Sequence, residues 1–209
     1  MRQLSTWQGE FGNAYTDRNV VPWESRVDPF REMIGGLPLA RVLEVGCNRG
    51  HNLRSIRSVL GEQTDLIGIE PNRHALGIAR QDNTDCAVLW GNAFDLPFKD
   101  GYFDLVFTLG VLEHIALQDI PAAMKEIARV SRRYILAVEY FAEEETTIHY
   151  RGSDDLLWKR NFLRHYEKNV PGLRVLRSGY WAPDSPINDA NWWLFEKPEE
   201  GAGQRGLSK

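Results

Sequence analysis

The stretch Arg41-Val-Leu-Glu-Val-Gly-Cys-Asn-Arg-Gly50, with Asp65-Leu-Ile-Gly-Ile-Glu70 ending 20 residues past its last glycine, decides the fold. Val42 to Val45 form an apolar, β-branched run suited to a buried strand. Gly46 and Gly50 permit a tight turn, and Leu53, Ile56 and Leu60 then recur at helical spacing. A strand that feeds a glycine loop and opens a helix is the first half of a βαβ unit. In such units the glycines let backbone approach a ligand, and a carboxylate ending the second strand accepts hydrogen bonds from ribose hydroxyls. Glu70 stands at that place, so the segment reads as nucleoside-binding.

The spacing separates kinds of nucleoside. A dinucleotide loop needs G-x-G-x-x-G so that a pyrophosphate can sit on the helix N-terminus. Here the pattern is E-x-G-x-x-x-G, with Asn48 where the middle glycine would stand. The carboxylate of Glu44 suits a cation or an amino group and repels a diphosphate. This pattern resembles motif I of the class I S-adenosylmethionine-dependent methyltransferases, whose cofactor carries an amino acid moiety and a sulfonium in place of phosphates. On the loop alone, a flavodoxin-like or Rossmann-like turn without methyl chemistry stays open.

A further block, Gly91-Asn-Ala-Phe-Asp-Leu-Pro-Phe-Lys-Asp-Gly-Tyr-Phe-Asp-Leu-Val-Phe-Thr-Leu-Gly-Val-Leu-Glu-His-Ile115, extends the resemblance. It is similar to the methyltransferase stretch in which a polar residue after the third strand meets adenine and the fourth strand runs into L-E-H-I. The resemblance implies that Asn92 accepts from the exocyclic amine, that the backbone of Ala93 addresses the ring, and that Leu109 and Gly110 line the floor below the methionine portion. Asn92 departs from the Asp common at that position, but an amide oxygen can make the same bond. Three blocks in order and spacing are far more specific than one.

Outside these blocks, strands are expected near 41–46, 65–70, 86–90, 103–109 and 134–140, with helices near 50–60, 72–80, 119–131 and 154–168. Such alternation predicts parallel strands joined by right-handed crossovers, with helices on both faces. Leu173–Trp181 and Asn191–Glu196 are strand-like runs whose Pro, Asp and Asn connection leaves no room for a helical crossover, which favours antiparallel pairing. The expected fold is therefore α/β: a Rossmann-like class I methyltransferase sandwich, its seven-stranded sheet mostly parallel with an antiparallel C-terminal hairpin. Residues 1–197 are expected to form a single domain, with 1–36 an N-terminal helical lid of two short helices and 198–209 a disordered tail.

Composition bounds the rest. A chain of 209 residues with 43% hydrophobic residues has room for one full core. A net charge of −4, with Lys and Arg scattered, gives no footprint for nucleic acid. No apolar run approaches the roughly 18 residues of a membrane span, and no signal-peptide pattern is read, so a cytoplasmic protein is expected. The two cysteines, Cys47 and Cys86, fit free thiols, and no metal-ligand spacing is present.

Displacement at a sulfonium relies chiefly on positioning: near-attack geometry can supply roughly 7–11 kcal/mol, whereas one general base contributes about 10² to 10⁴ in rate. Catalytic candidates stand where strands 4 and 5 end. His114 has a reference pKa near neutrality and reads equally as a base or as a packing residue at a helix start. Glu113 reads as structural or as a cofactor contact, and Glu139 and Tyr140 close strand 5. Arg151, in the connection after strand 5, is a candidate for an acidic acceptor or, equally, a solvated charge beside a capped helix.

The N-terminal string Trp7-Gln-Gly-Glu-Phe-Gly-Asn-Ala-Tyr-Thr-Asp-Arg-Asn19 is dense in aromatic and polar groups and poor in apolar helix positions. Together with Tyr150-Arg-Gly152 to Arg160 and Trp192–Lys197, it resembles the pseudaminic acid biosynthesis-associated methylases, a small methyltransferase group. That resemblance implies a small polar acceptor such as an amino sugar or nucleotide sugar. Trp7 and Phe11 are expected to form a lid, with Tyr15, Arg18 and Asn19 at the cofactor and acceptor mouth. The plainer alternative is a cap on one sheet edge.

The expected cofactor is S-adenosylmethionine, leaving as S-adenosylhomocysteine. Its contacts are assigned to Tyr15, Arg18, Glu44, Gly46, Cys47, Asn48, Gly50, Glu70, Pro71, Asn92, Ala93 and Leu109, and catalysis to His114, Tyr15 and Tyr140. The partner is a small-molecule acceptor, without nucleic acid or membrane, and the chain is expected to act as a monomer or homodimer. A nicotinamide-dependent oxidoreductase, disfavoured by the missing glycine and by Glu44, and a non-catalytic adenosylmethionine-binding protein remain as alternatives.

Overall fold

A computed structural model describes residues 2–198. Helices α1 (Arg2–Gln8) and α2 (Glu10–Arg18), a 3₁₀ turn (Trp23–Arg26) and α3 (Val27–Ile34) precede the sheet. There follow β1 (Arg41–Val45), α4 (His51–Leu60), β2 (Asp65–Glu70), α5 (Arg73–Asp82), β3 (Ala87–Trp90), β4 (Phe103–Leu109), a 3₁₀ turn (Leu112–His114), α6 (Ile120–Val130) and β5 (Ser131–Glu139). The chain continues through β6 (Thr146–Thr147), β7 (Trp158–Lys159), α7 (Phe162–Asn169), β8 (Arg174–Trp181) and β9 (Ala190–Glu196).

The main sheet has seven strands in the order β3-β2-β1-β4-β5-β9-β8. β1 to β5 pair in parallel, and β9 runs antiparallel to both β5 and β8. Alternation sends Trp192 and Trp193 to opposite faces, both buried. Trp192 joins the cluster of Phe30, Met33, Leu53 and Ile56, while Trp193 joins that of Met124, Ile127, Phe162 and Tyr166. Helices thus seal both faces, and the strand order reverses between β1 and β4. Such a switch point opens a crevice at the carboxyl ends of the strands.

Two expectations need correction. The helix expected at 154–168 starts only at Phe162, where Asn161 caps it by accepting from the Arg164 amide. Upstream, Arg151 and Gly152 take positive φ in a turn, and three consecutive residues, Leu156, Leu157 and Trp158, are buried, a pattern no helix face can satisfy. Trp158 and Lys159 pair instead with Thr146 and Thr147. The N-terminal segment holds three α-helices, not two. The expected disordered tail lies, from residue 199 onward, outside the described residues.

The N-terminal helices are tied to the sheet by a few polar contacts, among them one buried amide. Asn72, the N-cap of α5, donates through Nδ2 to the Trp7 carbonyl and to Asn13 Oδ1, each at 2.9 Å. Gly12 lies against the same place, where a side chain would collide with the Trp7 carbonyl. This contact sets α1 and α2 over the crevice.

Candidate functional site

A cavity of about 470 Å³ opens at the switch point. Its walls come from the β1–α4 loop, the ends of β2 to β5, the N-terminal helices and the loop between β8 and β9. Gly46 turns the chain at φ +81°, and a Cβ there would stand 2.6 Å from Val111 Cγ2. The amides of Gly46 and Cys47 both donate to the Ile69 carbonyl, at 2.8 and 3.0 Å, which locks the loop beside β2.

Glu70 is only 6% exposed and lines the cavity. Its Oε2 accepts from the Asn48 amide and its Oε1 from the Asn72 amide, each at 2.8 Å. A carboxylate oxygen has capacity for a second donor, so both remain able to receive hydroxyls. Burial pushes the Glu70 carboxyl up to about 7 against the pull of those two amides. Asn92 lines the cavity with Ala93; its Oδ1 accepts from the Phe94 amide at 2.9 Å and keeps a free lone pair. Cys47, Asn48, Pro71, Leu109 and Gly110 also face the cavity.

Glu44 does not. Its carboxylate is buried behind the wall, where Oε1 accepts from Asn52 Nδ2 at 2.6 Å and Oε2 makes no hydrogen bond. Burial raises its carboxyl to about 8. Asn52 passes the contact on, accepting at Oδ1 from the guanidinium of Arg26 at 2.7 Å. Arg26, absent from the residues singled out in the sequence, lines the cavity beside Asn52. It sits among the polar residues of the segment before α3, and nothing local distinguishes it from a solvated arginine.

Gly50 also stands apart from the cavity. It caps α4 at φ +77°, and a Cβ there would run into the Asn83 side chain, which donates to the carbonyls of Arg49 and Ala79. Gly50→Ala is expected to cost about 2–4 kcal/mol, from left-handed strain and one or two lost hydrogen bonds. Urea denaturation measures this, and an unchanged midpoint would refute a packing role. Arg18 is exposed, its guanidinium 5.4 Å from the Tyr15 ring and 5.8 Å from that of Phe11, and it does not line the cavity. Arg151 is likewise exposed and off the cavity.

The opposite end is aromatic. Trp7 lines it, with Phe11 behind at 5.2 Å, Tyr15 edge-on at 5.1 Å and the His114 ring at 4.5 Å. Tyr150, 5.9 Å from His114, closes one side. His114 Nδ1 lies 2.6 Å from the Leu156 carbonyl, an acceptor, so that nitrogen carries the proton and Nε2 holds the lone pair. Burial lowers His114 to about 4, leaving a neutral imidazole at pH 7. Burial also raises Tyr15 above the usual phenol range and Tyr140 to about 12, so both hydroxyls stay protonated. Asn19 donates to the Tyr15 hydroxyl at 2.9 Å, and Asn188 to that of Tyr140 at 3.3 Å. The three groups assigned to catalysis are therefore brought together, as neutral donors and acceptors.

Beneath them lies a pair of acids. Glu139 Oε2 accepts from the amides of Val111 and Glu113, and Glu113 Oε2 accepts from that of Tyr140 at 2.7 Å. Burial and mutual repulsion raise Glu113, and burial raises Glu139. Together with Glu44 and Glu70, these carboxyls bind protons more tightly folded than unfolded. Their contribution is full below about pH 4.5 and declines as pH rises, through about 7 for Glu70 and Glu139 and about 8 for Glu44. His114 acts oppositely, adding stability between about 4 and 6.5. Above 6.5 the carboxyls act alone, so stability is expected to fall from pH 6.5 to 8.5 by on the order of 2–3 kcal/mol. Thermal melts across that range check this, and a flat or rising profile would contradict it.

A glycine turn, a strand-end carboxylate and an amide meet at the switch point of this sheet, whose strand order and final antiparallel hairpin give the Rossmann-like fold found in methyltransferases. Residues 42–133 match the methyltransferase domain family. Norajmaline N-methyltransferase of Rauvolfia serpentina is 34% identical over 94 residues, covering 43% of this chain and 32% of that protein. The chain spans well under half the length of the curated relatives it matches, 36% for an uncharacterized methyltransferase of Schizosaccharomyces pombe that is 35% identical over 103 residues. In structure, the 1,6-didemethyltoxoflavin-N1-methyltransferase of Burkholderia thailandensis, solved with S-adenosylhomocysteine bound, superposes with a TM-score of 0.67 at 12% identity, covering 95% of this chain and 87% of that one. That likeness concerns the fold. Among the described residues no helix is long and apolar enough to cross a membrane.

Proposed function

We propose that the chain transfers a methyl group from S-adenosylmethionine to an oxygen or nitrogen of a small polar metabolite, such as a sugar, amino sugar or nucleotide sugar of a biosynthetic pathway. The observation that carries this reading is Glu70, held by two backbone amides at the end of β2 with its spare lone pairs on the same cavity as Asn92. The donor set fits the cofactor. Glu70 would hold the ribose and Asn92 the adenine, and Arg26, held in place through Asn52 and Glu44, would receive the carboxylate of the amino acid part. When bound, the cofactor supplies an electrophilic methyl group on a sulfonium. The chain's residues exclude water and fix the acceptor, with Trp7, Tyr15 and His114 closing the far end.

The size of the cavity favours a small acceptor, because about 470 Å³ is near the lower end of ligand pockets and both molecules must share it. The likeness of the N-terminal string and of the Tyr150–Arg160 segment to the pseudaminic acid-associated methylases points the same way. Incubation with S-adenosylmethionine tritiated on the methyl group, against sugars, amino sugars and nucleotide sugars, tests the reading. Label in an acceptor is expected; cofactor binding with no transfer to any metabolite pool would leave a binding protein instead.

A further inference from the structure

The two ends of the cavity differ in charge. Among the described residues, the only Arg or Lys side chains lining it are Arg26 and Arg49, both at the β1–α4 end: Arg26 is bonded to Asn52, and Arg49 reaches the Thr16 carbonyl. The far end is lined by Trp7, Tyr15, His114, Tyr140 and Tyr150 with Glu113 among them; the other carboxylates on the cavity are Glu70 at the end of β2 and Asp119, the N-cap of α6. Lys159 lies nearby, 5.2 Å from the Tyr140 ring, but is paired with Asp189 at 2.7 Å and does not line the cavity. Ring faces and an acid attract a cation, whereas a phosphate there would meet no positive partner.

We propose, on the methyltransferase reading above, that the acceptor is an amine, received at this aromatic end as its ammonium, and that Glu113 takes the proton which frees its nitrogen. Glu113 Oε2 is held by the Tyr140 amide, while Oε1 lies 3.8 Å from His114 Nε2. An ammonium between Oε1 and Nε2 would find two acceptors, with Tyr and Trp faces around it. The proton passes from R–NH₃⁺ to the Glu113 carboxylate, giving R–NH₂ and a neutral carboxyl. The nitrogen lone pair then forms the new N–C bond as the methyl C–S bond breaks, its electron pair going to sulfur, and the product leaves as R–NH₂⁺–CH₃.

Burial raises Glu113 in the free protein, but an ammonium beside it opposes that shift, so the acid ionises as the amine binds and then holds the transferred proton tightly. Glu139 and Asp189 raise Glu113, and Lys159 opposes them less strongly than burial and Glu139 act. Tyr15 and Tyr140 face it as neutral phenols at pH 7, and His114 as a neutral imidazole. A buried acid of this kind is a better proton acceptor than an exposed glutamate, and His114, lowered to about 4, is a worse one. Glu139 acts through Glu113, as a positioning residue.

The test uses the full chain loaded with S-adenosylhomocysteine, titrated with benzylamine, tyramine and glucosamine, each against its matched alcohol, and with UDP-glucose. Transfer from tritiated S-adenosylmethionine is measured in parallel. At least one amine is expected to bind tenfold or more tighter than its alcohol and to be methylated in preference to it. Glu113→Gln keeps an oxygen for the Tyr140 amide, so it should retain S-adenosylhomocysteine affinity while losing the amine preference, about 10² or more in kcat, and the acid limb of the kcat/KM profile. Glu139→Gln should shift that limb to lower pH. S-adenosylhomocysteine binding combined with equal or better methylation of an alcohol or of UDP-glucose, with no amine bound, or with an unaffected Glu113→Gln variant, would overturn the amine proposal alone. Failure to bind S-adenosylhomocysteine would overturn the methyltransferase reading with it.

Discussion

Replacing Glu70 with alanine is expected to weaken S-adenosylhomocysteine binding by about 100-fold or more. The carboxylate would accept charge-assisted hydrogen bonds from the ribose, each worth about 1.5–3 kcal/mol, and two such bonds account for the loss. The same side chain holds the amides of Asn48 and Asn72, so the variant also loosens the glycine loop and, through Asn72, the contacts to Trp7 and Asn13. A pH series separates ligand contact from scaffold. With its carboxyl near 7 in the free protein, Glu70 must ionise to receive hydroxyls, so binding releases a proton and affinity rises as pH climbs toward 7, then levels. Glu70→Gln should flatten that rise. Calorimetric titration at several pH values measures both, and unchanged affinity in Glu70→Ala would remove the residue from the site.

The second large effect belongs to Arg160, which is 1% exposed. One guanidinium nitrogen donates to the Ile115 carbonyl at 2.7 Å and reaches that of Leu112 at 3.5 Å, while Nε pairs with Glu145 at 2.5 Å and the group stacks 4.7 Å from the Trp158 ring. These carbonyls belong to the turn that carries Glu113 and His114. Arg160→Ala removes a buried cation, leaves the Ile115 carbonyl without its donor and opens a void, at an expected cost of about 3–5 kcal/mol. Lysine should not rescue it, since a point charge cannot replace a planar fork with three partners. Urea denaturation gives the loss, and S-adenosylhomocysteine affinity should change by less than about threefold because the turn lies at the other end of the cavity. A loss below about 1 kcal/mol would show that the turn holds without it.

The glycine loop, Glu70, Asn92 and the final hairpin were legible because each is a local pattern: a strand, a turn and a polar residue at fixed spacing. What escaped depends on contacts between distant segments. Tyr15 and His114 are assigned to catalysis from their places in the chain, but no periodicity reports that Trp7 stands between them and Tyr150 closes the same end. Glu44 is the expected carboxyl, but the pleat of β1 turns it behind the wall, where burial raises it to about 8 and Asn52 and Arg26 stand between it and the cavity. Gly50 reads as a ligand-loop glycine, yet its missing side chain makes room for Asn83. The charges around Arg151 read as solvated beside a capped helix, whereas Arg160 is drawn inside by the Ile115 carbonyl, in a turn 45 residues earlier.

The most direct measurement is isothermal titration of the purified chain with S-adenosylhomocysteine beside NAD. The account predicts micromolar binding of the first and none of the second, because Glu70 and Asn92 suit a nucleoside while the loop lacks the middle glycine that a pyrophosphate needs. Binding of NAD alone, or of neither, would contradict it.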